Sequence, residues 1–169
     1  AARVCISVPA ARSVFEREGD PHHVLMTGNP VRRSVIEGDR ARGRKALGVP
    51  EDATLLLVFG GSLGAQHLNE RVVSLKNELL SRENLYVLHS TGADGFEDTE
   101  RALALTLEEA RRYRVQPYID NMGDMLAAAD LVLSRSGASS VAEIAALAVP
   151  SVLVPYPHAT ADHQTTNAR

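Results

Sequence analysis

Leu55-Leu56-Leu57-Val58-Phe59-Gly60-Gly61-Ser62-Leu63-Gly64-Ala65-Gln66 runs from an apolar stretch through a glycine-rich turn into a helix-like pattern. Consecutive apolar positions at its start suit a strand buried on both faces. Beyond the turn, Leu68, Val72, Leu75 and Leu79 fall on one helical stripe of the kind that packs on a sheet. Strand, glycine turn and amphipathic helix together make the repeating unit of a parallel α/β sheet.

The alternation continues outward from this stretch. Strands are predicted over 55–59, 85–89, 115–119, 131–134 and 151–155, and helices over 65–80, 96–112, 123–129 and 140–147. That order predicts an α/β fold with a Rossmann-like, doubly wound parallel sheet. Upstream, Arg3-Val4-Cys5-Ile6-Ser7-Val8 reads as a short strand leading through Pro9 into a brief helix and the Pro21-His22-His23 turn. Gly28-Asn29-Pro30-Val31-Arg32 then enforces a turn from which a helix can restart. A boundary is therefore placed near Gly28, dividing residues 1–27 from 28–169.

In doubly wound sheets ligands sit beyond the C-terminal ends of the strands. Two glycine- and serine-rich turns fall there: the one quoted above, and Ser134-Arg135-Ser136-Gly137-Ala138-Ser139-Ser140-Val141-Ala142-Glu143. Each exposes a helix N-terminus whose unpaired N–H groups and positive dipole end suit a phosphate, so the pair points to a pyrophosphate ligand. In the first turn Ser62 is the natural hydroxyl donor, although the glycines also fit a plain strand-to-helix turn. The second turn reads in two ways. Ser140-Val141-Ala142-Glu143 has the form of a capping box, with Ser140 as the cap and Glu143 reaching back. Alternatively the N–H groups of Ala138, Ser139 and Ser140 face phosphates while Glu143 accepts from a ribose diol.

Arg32 either holds a phosphate by forked donation or solvates a helix face. With Arg33, Arg40, Arg42, Arg44 and Lys45 it forms a basic cluster, offset by Glu37 and Asp39, that reads as a solvated face or, alternatively, as a contact for an anionic membrane surface. The tail 162–167 is dense in groups able to hydrogen-bond sugar hydroxyls, and equally fits a helix start capped by Asp162.

Several classes are excluded or disfavoured. The glycines at 60, 61 and 64 match neither G-x-G-x-x-G nor the G-x-x-x-x-G-K-[ST] phosphate loop. A net charge of -3 and 4% aromatic residues give no basis for nucleic-acid binding. The six histidines have no zinc spacing, and no Asp-x-Asp element is present to hold a metal on a pyrophosphate, so metal-independent ligand binding without a cofactor is expected. Cys5 is the sole cysteine, which rules out an intrachain disulfide and points to the cytoplasm. No apolar run approaches the roughly 18 residues of a membrane span. The start at Ala-Ala-Arg and the helix-like end are expected to be cuts within a longer protein.

Five blocks, taken in order and spacing, resemble the MurG family of bacterial N-acetylglucosaminyltransferases. They are Gly28-Asn29-Pro30-Val31-Arg32, Gly60-Gly61-Ser62-Leu63-Gly64-Ala65, Tyr118-Ile119-Asp120-Asn121-Met122, Arg135-Ser136-Gly137-Ala138 with Glu143-Ile144-Ala145, and His163-Gln164 to Asn167-Ala168. The resemblance implies one half of a GT-B fold, the C-terminal UDP-N-acetylglucosamine-binding domain over 28–169, truncated at its end. Residues 1–27 are then the tail of an N-terminal acceptor domain and linker. It further implies that Arg32 and Ser62 lie by the pyrophosphate, Ile119 offers backbone groups to uracil, Ala138, Ser139 and Ser140 cradle phosphates, and Glu143 binds the ribose. Gln164, with His163 beside it, is implied to meet the sugar. Ser139-Ser140 departs from the Leu-Thr frequent in relatives, which leaves the contact at Ser139 less defined. Conversion of lipid I to lipid II is the implied reaction, with lipid I and the general base in the N-terminal half, and the full protein peripheral on the inner face of the cell membrane. This chain alone is expected to bind donor without turnover. Another UDP-sugar GT-B transferase or epimerase, or a donor-binding subunit, is the alternative.

Overall fold

A computed structural model describes residues 3–16, 22–61, 65–157 and 163–168. Two strands, β1 (Val4–Ile6) and β2 (Val24–Met26), pair in parallel as a small sheet, with a 3-10 turn (Pro9–Ala11) and helix α1 (Arg12–Phe15) between them. The main sheet contains β3 (Thr54–Phe59), β4 (Leu85–Ser90), β5 (Tyr113–Gln116), β6 (Leu131–Ser134) and β7 (Ser151–Leu153). All of its pairings are parallel, in the order β5-β4-β3-β6-β7. The chain leaves β3 toward one edge and returns to cross over to the other, as in a Rossmann sheet.

Helices cover both faces. On one side α2 (Arg33–Ile36), α3 (Arg40–Leu47), α7 (Met122–Ala128) and α8 (Ala138–Ala146) bury Val35, Leu47, Leu126 and Ile144 against Leu55, Leu57 and Phe59. On the other, α4 (Gln66–Ser74) and α6 (Phe96–Leu103) bury Leu68, Val72 and Leu103 against Leu56 and Val58. Alternate residues of β3 thus feed two cores, which is why the strand is apolar throughout. The remaining helices are α5 (Lys76–Leu80) and α9 (His163–Asn167).

Several predicted bounds change for local reasons. The helix expected over 96–112 ends at Leu103, where Ala104 turns left-handed with φ 42°. A capping box then starts a short 3-10 turn: the Thr106 N–H donates to Glu109 Oε2 (2.8 Å) and the Glu109 N–H donates to Thr106 Oγ1 (3.2 Å). Lys76 Nζ braces this corner by donating to the Leu103 carbonyl and to Glu109, each at 2.9 Å. The helix expected over 65–80 breaks at Leu75, beside Ser74, whose hydroxyl donates back to the Arg71 carbonyl (2.7 Å). The strand expected over 115–119 lies earlier, at Tyr113–Gln116, and stops before Pro117, which has no N–H for the ladder.

The basic cluster remains a solvated face except at Arg44, and most of its members are ion-paired. Arg44 is buried, donating to the Ala53 and Ala128 carbonyls and to Asp130. Arg40 donates to Asp130 Oδ1 (2.7 Å), and Arg33 pairs with Glu37. Arg42 reaches Asp124, whose side chain is 1% exposed, with both Nε and Nη2 at 2.5 Å. The Asp39 N–H (2.8 Å) and Asn121 Nδ2 also donate to that carboxylate. Arg42's hydrogen bonds, followed by that of the Asp39 N–H, hold Asp124 down at about 2 despite its burial.

This fixed point works because α7 lies almost against the backbone of α2 and α3. A Cβ at Gly123 would collide with the Ser34 carbonyl, and one at Gly38 with that of Gly123. On the opposite face, His89 is fully buried between Asn69 Oδ1 (3.0 Å to Nε2) and the Tyr113 hydroxyl (3.1 Å to Nδ1). Burial pulls the His89 pKa down to about 4.

Two outcomes follow from this packing. Gly123→Ala should cost roughly 2–3 kcal/mol in urea unfolding, since the added methyl meets backbone that cannot swing aside. The unfolded chain takes up a proton at His89 near pH 6.5, whereas the folded chain resists until about 4. Stability should therefore be full above pH 6.5 and fall by about 3 kcal/mol as the pH drops toward 4. In His89→Gln, unfolding titrations should lose that part of the slope.

Candidate functional site

A pocket of about 480 Å³ opens at the C-terminal ends of β3 and β4. This is where strand order reverses between β3 and β6, so loops leaving the two strands diverge and leave a crevice. Its volume falls within the roughly 300–1,000 Å³ usual for small-molecule sites. Phe59 and Gly61 come from the end of β3, Ser90 from β4, and Tyr118, Ile119 and Met122 from the segment entering α7. The opposite wall is Gly137, the first turn of α8 and Glu143, with Pro30 and Arg32 closing one side.

The first turn of α8 directs unpaired backbone N–H groups at the pocket. Gly137 is the N-cap with extended backbone, no side chain caps the helix, and Ala138, Ser139 and Ser140 are its first residues. This corrects the capping-box reading of Ser140 and Glu143. The helix begins before Ser140, and Glu143 lies in the second turn on the face of Ser139 and Ser140. Its carboxylate accepts from Arg32 Nε at 2.9 Å instead. Glu143 is 12% exposed and Arg32 is 58% exposed, with Arg32 at the N-cap of α2. The hydrogen bond and charge of Glu143, followed by Tyr118, raise the Arg32 pKa. Such a pair contributes little to stability and can open for a ligand. With it open, the crevice offers a cation, a helix N-terminus and a carboxylate, the groups needed by an anion with hydroxyls attached.

Ile119 lines the pocket while its side chain joins the core. Ser62 lies outside the described residues. His163 and Gln164 do not line the pocket. Gln164 instead anchors α9: its carbonyl accepts from Ser136 Oγ (2.7 Å) and its Oε1 accepts from the Tyr156 N–H (2.9 Å). Asn167 Nδ2 adds a bond to the Ser136 carbonyl (3.0 Å), and Arg135 lies over the Tyr156 ring at 5.5 Å. Phe59, Ser90, Tyr118 and Met122 are pocket residues that were not nominated from sequence. The position of Phe59 and Ser90 at C-terminal strand ends was the available signal. Among the described residues no cluster of three or more metal-ligating side chains occurs, and no helix is long and apolar enough to cross a membrane.

The fold is that of the C-terminal, Rossmann-like half of a GT-B glycosyltransferase. The chain belongs to the family described as the glycosyltransferase family 28 C-terminal domain, matched over residues 55–169. A relative from Carboxydothermus hydrogenoformans is 44% identical over 168 residues, covering 98% of this chain and 43% of the relative. One from Acetivibrio thermocellus is 39% identical over 167 residues, covering 99% and 44%. Both are named UDP-N-acetylglucosamine--N-acetylmuramyl-(pentapeptide) pyrophosphoryl-undecaprenol N-acetylglucosamine transferase. The crystal structure of Acinetobacter baumannii MurG superposes with a TM-score of 0.62 at 32% identity, over 88% of this chain and 41% of that one. The glycosyltransferase of kitacinnamycin matches at a TM-score of 0.65 and 20% identity, over 99% and 39%, a likeness of fold alone. The resemblance to MurG read from the sequence therefore holds, while the chain spans less than half the length of these relatives.

Because Glu143 pairs with a largely exposed arginine and caps nothing, Glu143→Ala should change the unfolding free energy by less than about 1 kcal/mol. Thermal unfolding of the variant beside the parent checks this.

Proposed function

We propose that this chain binds UDP-N-acetylglucosamine and supplies the donor half of the inverting transferase that converts lipid I to lipid II in peptidoglycan synthesis. The observation that carries the reading is the Arg32–Glu143 pair, held across a crevice walled by the first turn of α8. In this reading the pyrophosphate meets the N–H groups of Ala138, Ser139 and Ser140 and takes over Arg32. Glu143, released, accepts from the ribose diol. Ile119 offers backbone groups to uracil, Ser62 reaches a phosphate oxygen, and Gln164 with His163 faces the sugar.

The acceptor's 4-hydroxyl oxygen attacks the anomeric carbon, its proton passes to a base, and the bond from that carbon to the UDP oxygen breaks on the opposite face. Negative charge gathers on the departing UDP, where fixed N–H dipoles and Arg32 stabilise it without a metal. The base and the lipid I site belong to the N-terminal half, with residues 1–27 the end of that half and its linker. This chain alone therefore binds donor without turnover. In the cell the full protein sits in the cytoplasm, peripheral on the inner face of the membrane. The names and identities of the relatives support this reading over another UDP-sugar transferase or epimerase.

Calorimetric titration of the chain with UDP-N-acetylglucosamine, UDP-glucose and NADH, before and after adding magnesium, tests the reading. Binding of the first without metal, weaker binding of the second and none of the third are expected. Absence of UDP-sugar binding by folded protein would overturn it. Glu143→Ala and Arg32→Ala should each weaken UDP binding by about tenfold to a hundredfold, as loss of a charged hydrogen bond requires.

A further inference from the structure

Ser90 is the last residue of β4, in register with Phe59 on β3 and Gln116 on β5. Cross-strand partners share a face, so its side chain emerges beside Phe59 on the side of Ile119. Ser90 is only 6% exposed, and the little surface it keeps lies in the wall of the pocket. Among the described residues, no group hydrogen-bonds its hydroxyl, which is open to the pocket and not sealed within the core. A hydroxyl on a nearly buried residue that opens only onto the pocket is left to pocket water until a ligand displaces that water and completes the bond.

The neighbours of Ser90 hold it rigidly. His89, directed to the other face, is locked between Asn69 and Tyr113. The Thr91 N–H donates to the Gln116 carbonyl (3.1 Å), and the Thr91 carbonyl accepts from Asn69 Nδ2 (3.0 Å). The hydroxyl is therefore presented on a strand end fixed from both sides.

Strand order indicates what Ser90 meets. A ligand whose phosphates rest on the first turn of α8, beyond β6, and whose body crosses the end of β3 brings its far end over β4. Resting on the donor-binding reading above, we propose that Ser90 is a specificity-determining residue that hydrogen-bonds a ring carbonyl of the pyrimidine base, opposite the backbone of Ile119. The base then loses the carbonyl's water and regains one bond from protein, and a ligand lacking that acceptor leaves the serine unpaired.

Titrating the parent chain and Ser90→Ala with UDP, UMP, 2-thio-UDP, 4-thio-UDP and inorganic pyrophosphate tests this. Loss of one neutral hydrogen bond should weaken UDP and UMP about fivefold in Ser90→Ala and leave pyrophosphate unchanged. In the parent, one of the two thio-nucleotides should bind about fivefold more weakly than UDP, because sulfur is the poorer acceptor, and that difference should disappear in Ser90→Ala. Equal UDP affinity in the two proteins, a loss shared by pyrophosphate, or a thio penalty that survives the substitution would overturn the role of Ser90. If the parent binds no UDP at all, the donor-binding reading itself fails and this role with it, so the parent titration separates the two failures.

Discussion

The architecture depends on β3 being a parallel strand buried on both faces and flanked by β4 and β6. Parallel strands cannot be joined by a tight hairpin, so each connection must cross over the sheet, here through helices. After β3 the chain builds outward through β4 and β5, then returns beside β3 to start β6. The loops leaving β3 and β6 are thereby sent apart, and the crevice they leave becomes the pocket. Position of the site is thus a consequence of strand order before any particular side chain is considered.

The side chains then make that crevice electrostatically complete in the absence of a ligand. Arg32 and Glu143 come from α2 and α8, 111 residues apart in sequence, and neutralise one another across the opening. The other arginine pairs of this region have a different task. Arg42 with Asp124 ties α3 to the first turn of α7 through a buried carboxylate, and Arg40 and Arg44 with the half-buried Asp130 tie it to the segment after α7 and to the start of β3. Both kinds of pair arise from one arginine-rich segment, and the partner separates them: Arg40, Arg42 and Arg44 are held by Asp124, Asp130 and backbone carbonyls away from the pocket, whereas the partner of Arg32 is a carboxylate in the pocket wall.

Element type was legible where the physical signal was local. The two-faced apolar run at Leu55-Leu56-Leu57-Val58 and the stripe through Leu68 and Val72 identify strand and helix because each pattern matches only one backbone period. Limits between elements were less legible. Ser140 with Glu143 and Thr106 with Glu109 carry the same S/T-x-x-E spacing, yet only the second forms a capping box. At Thr106 the chain has just left α6 through the left-handed Ala104, so a new start is available. At Ser140 the helix is already under way from Ala138, and Glu143 has found Arg32.

What the sequence determined by itself was the class of fold, the two glycine-rich turns and the family, because hydrophobic periodicity, turn chemistry and ordered motifs are properties of neighbours along the chain. The tertiary structure decided which charged groups are spent on packing, that Glu143 faces Arg32, and that Ser90 keeps an unpartnered hydroxyl in the pocket wall. Those outcomes are set by which residues strand order and helix packing bring together across long separations, and one-dimensional spacing does not encode that proximity.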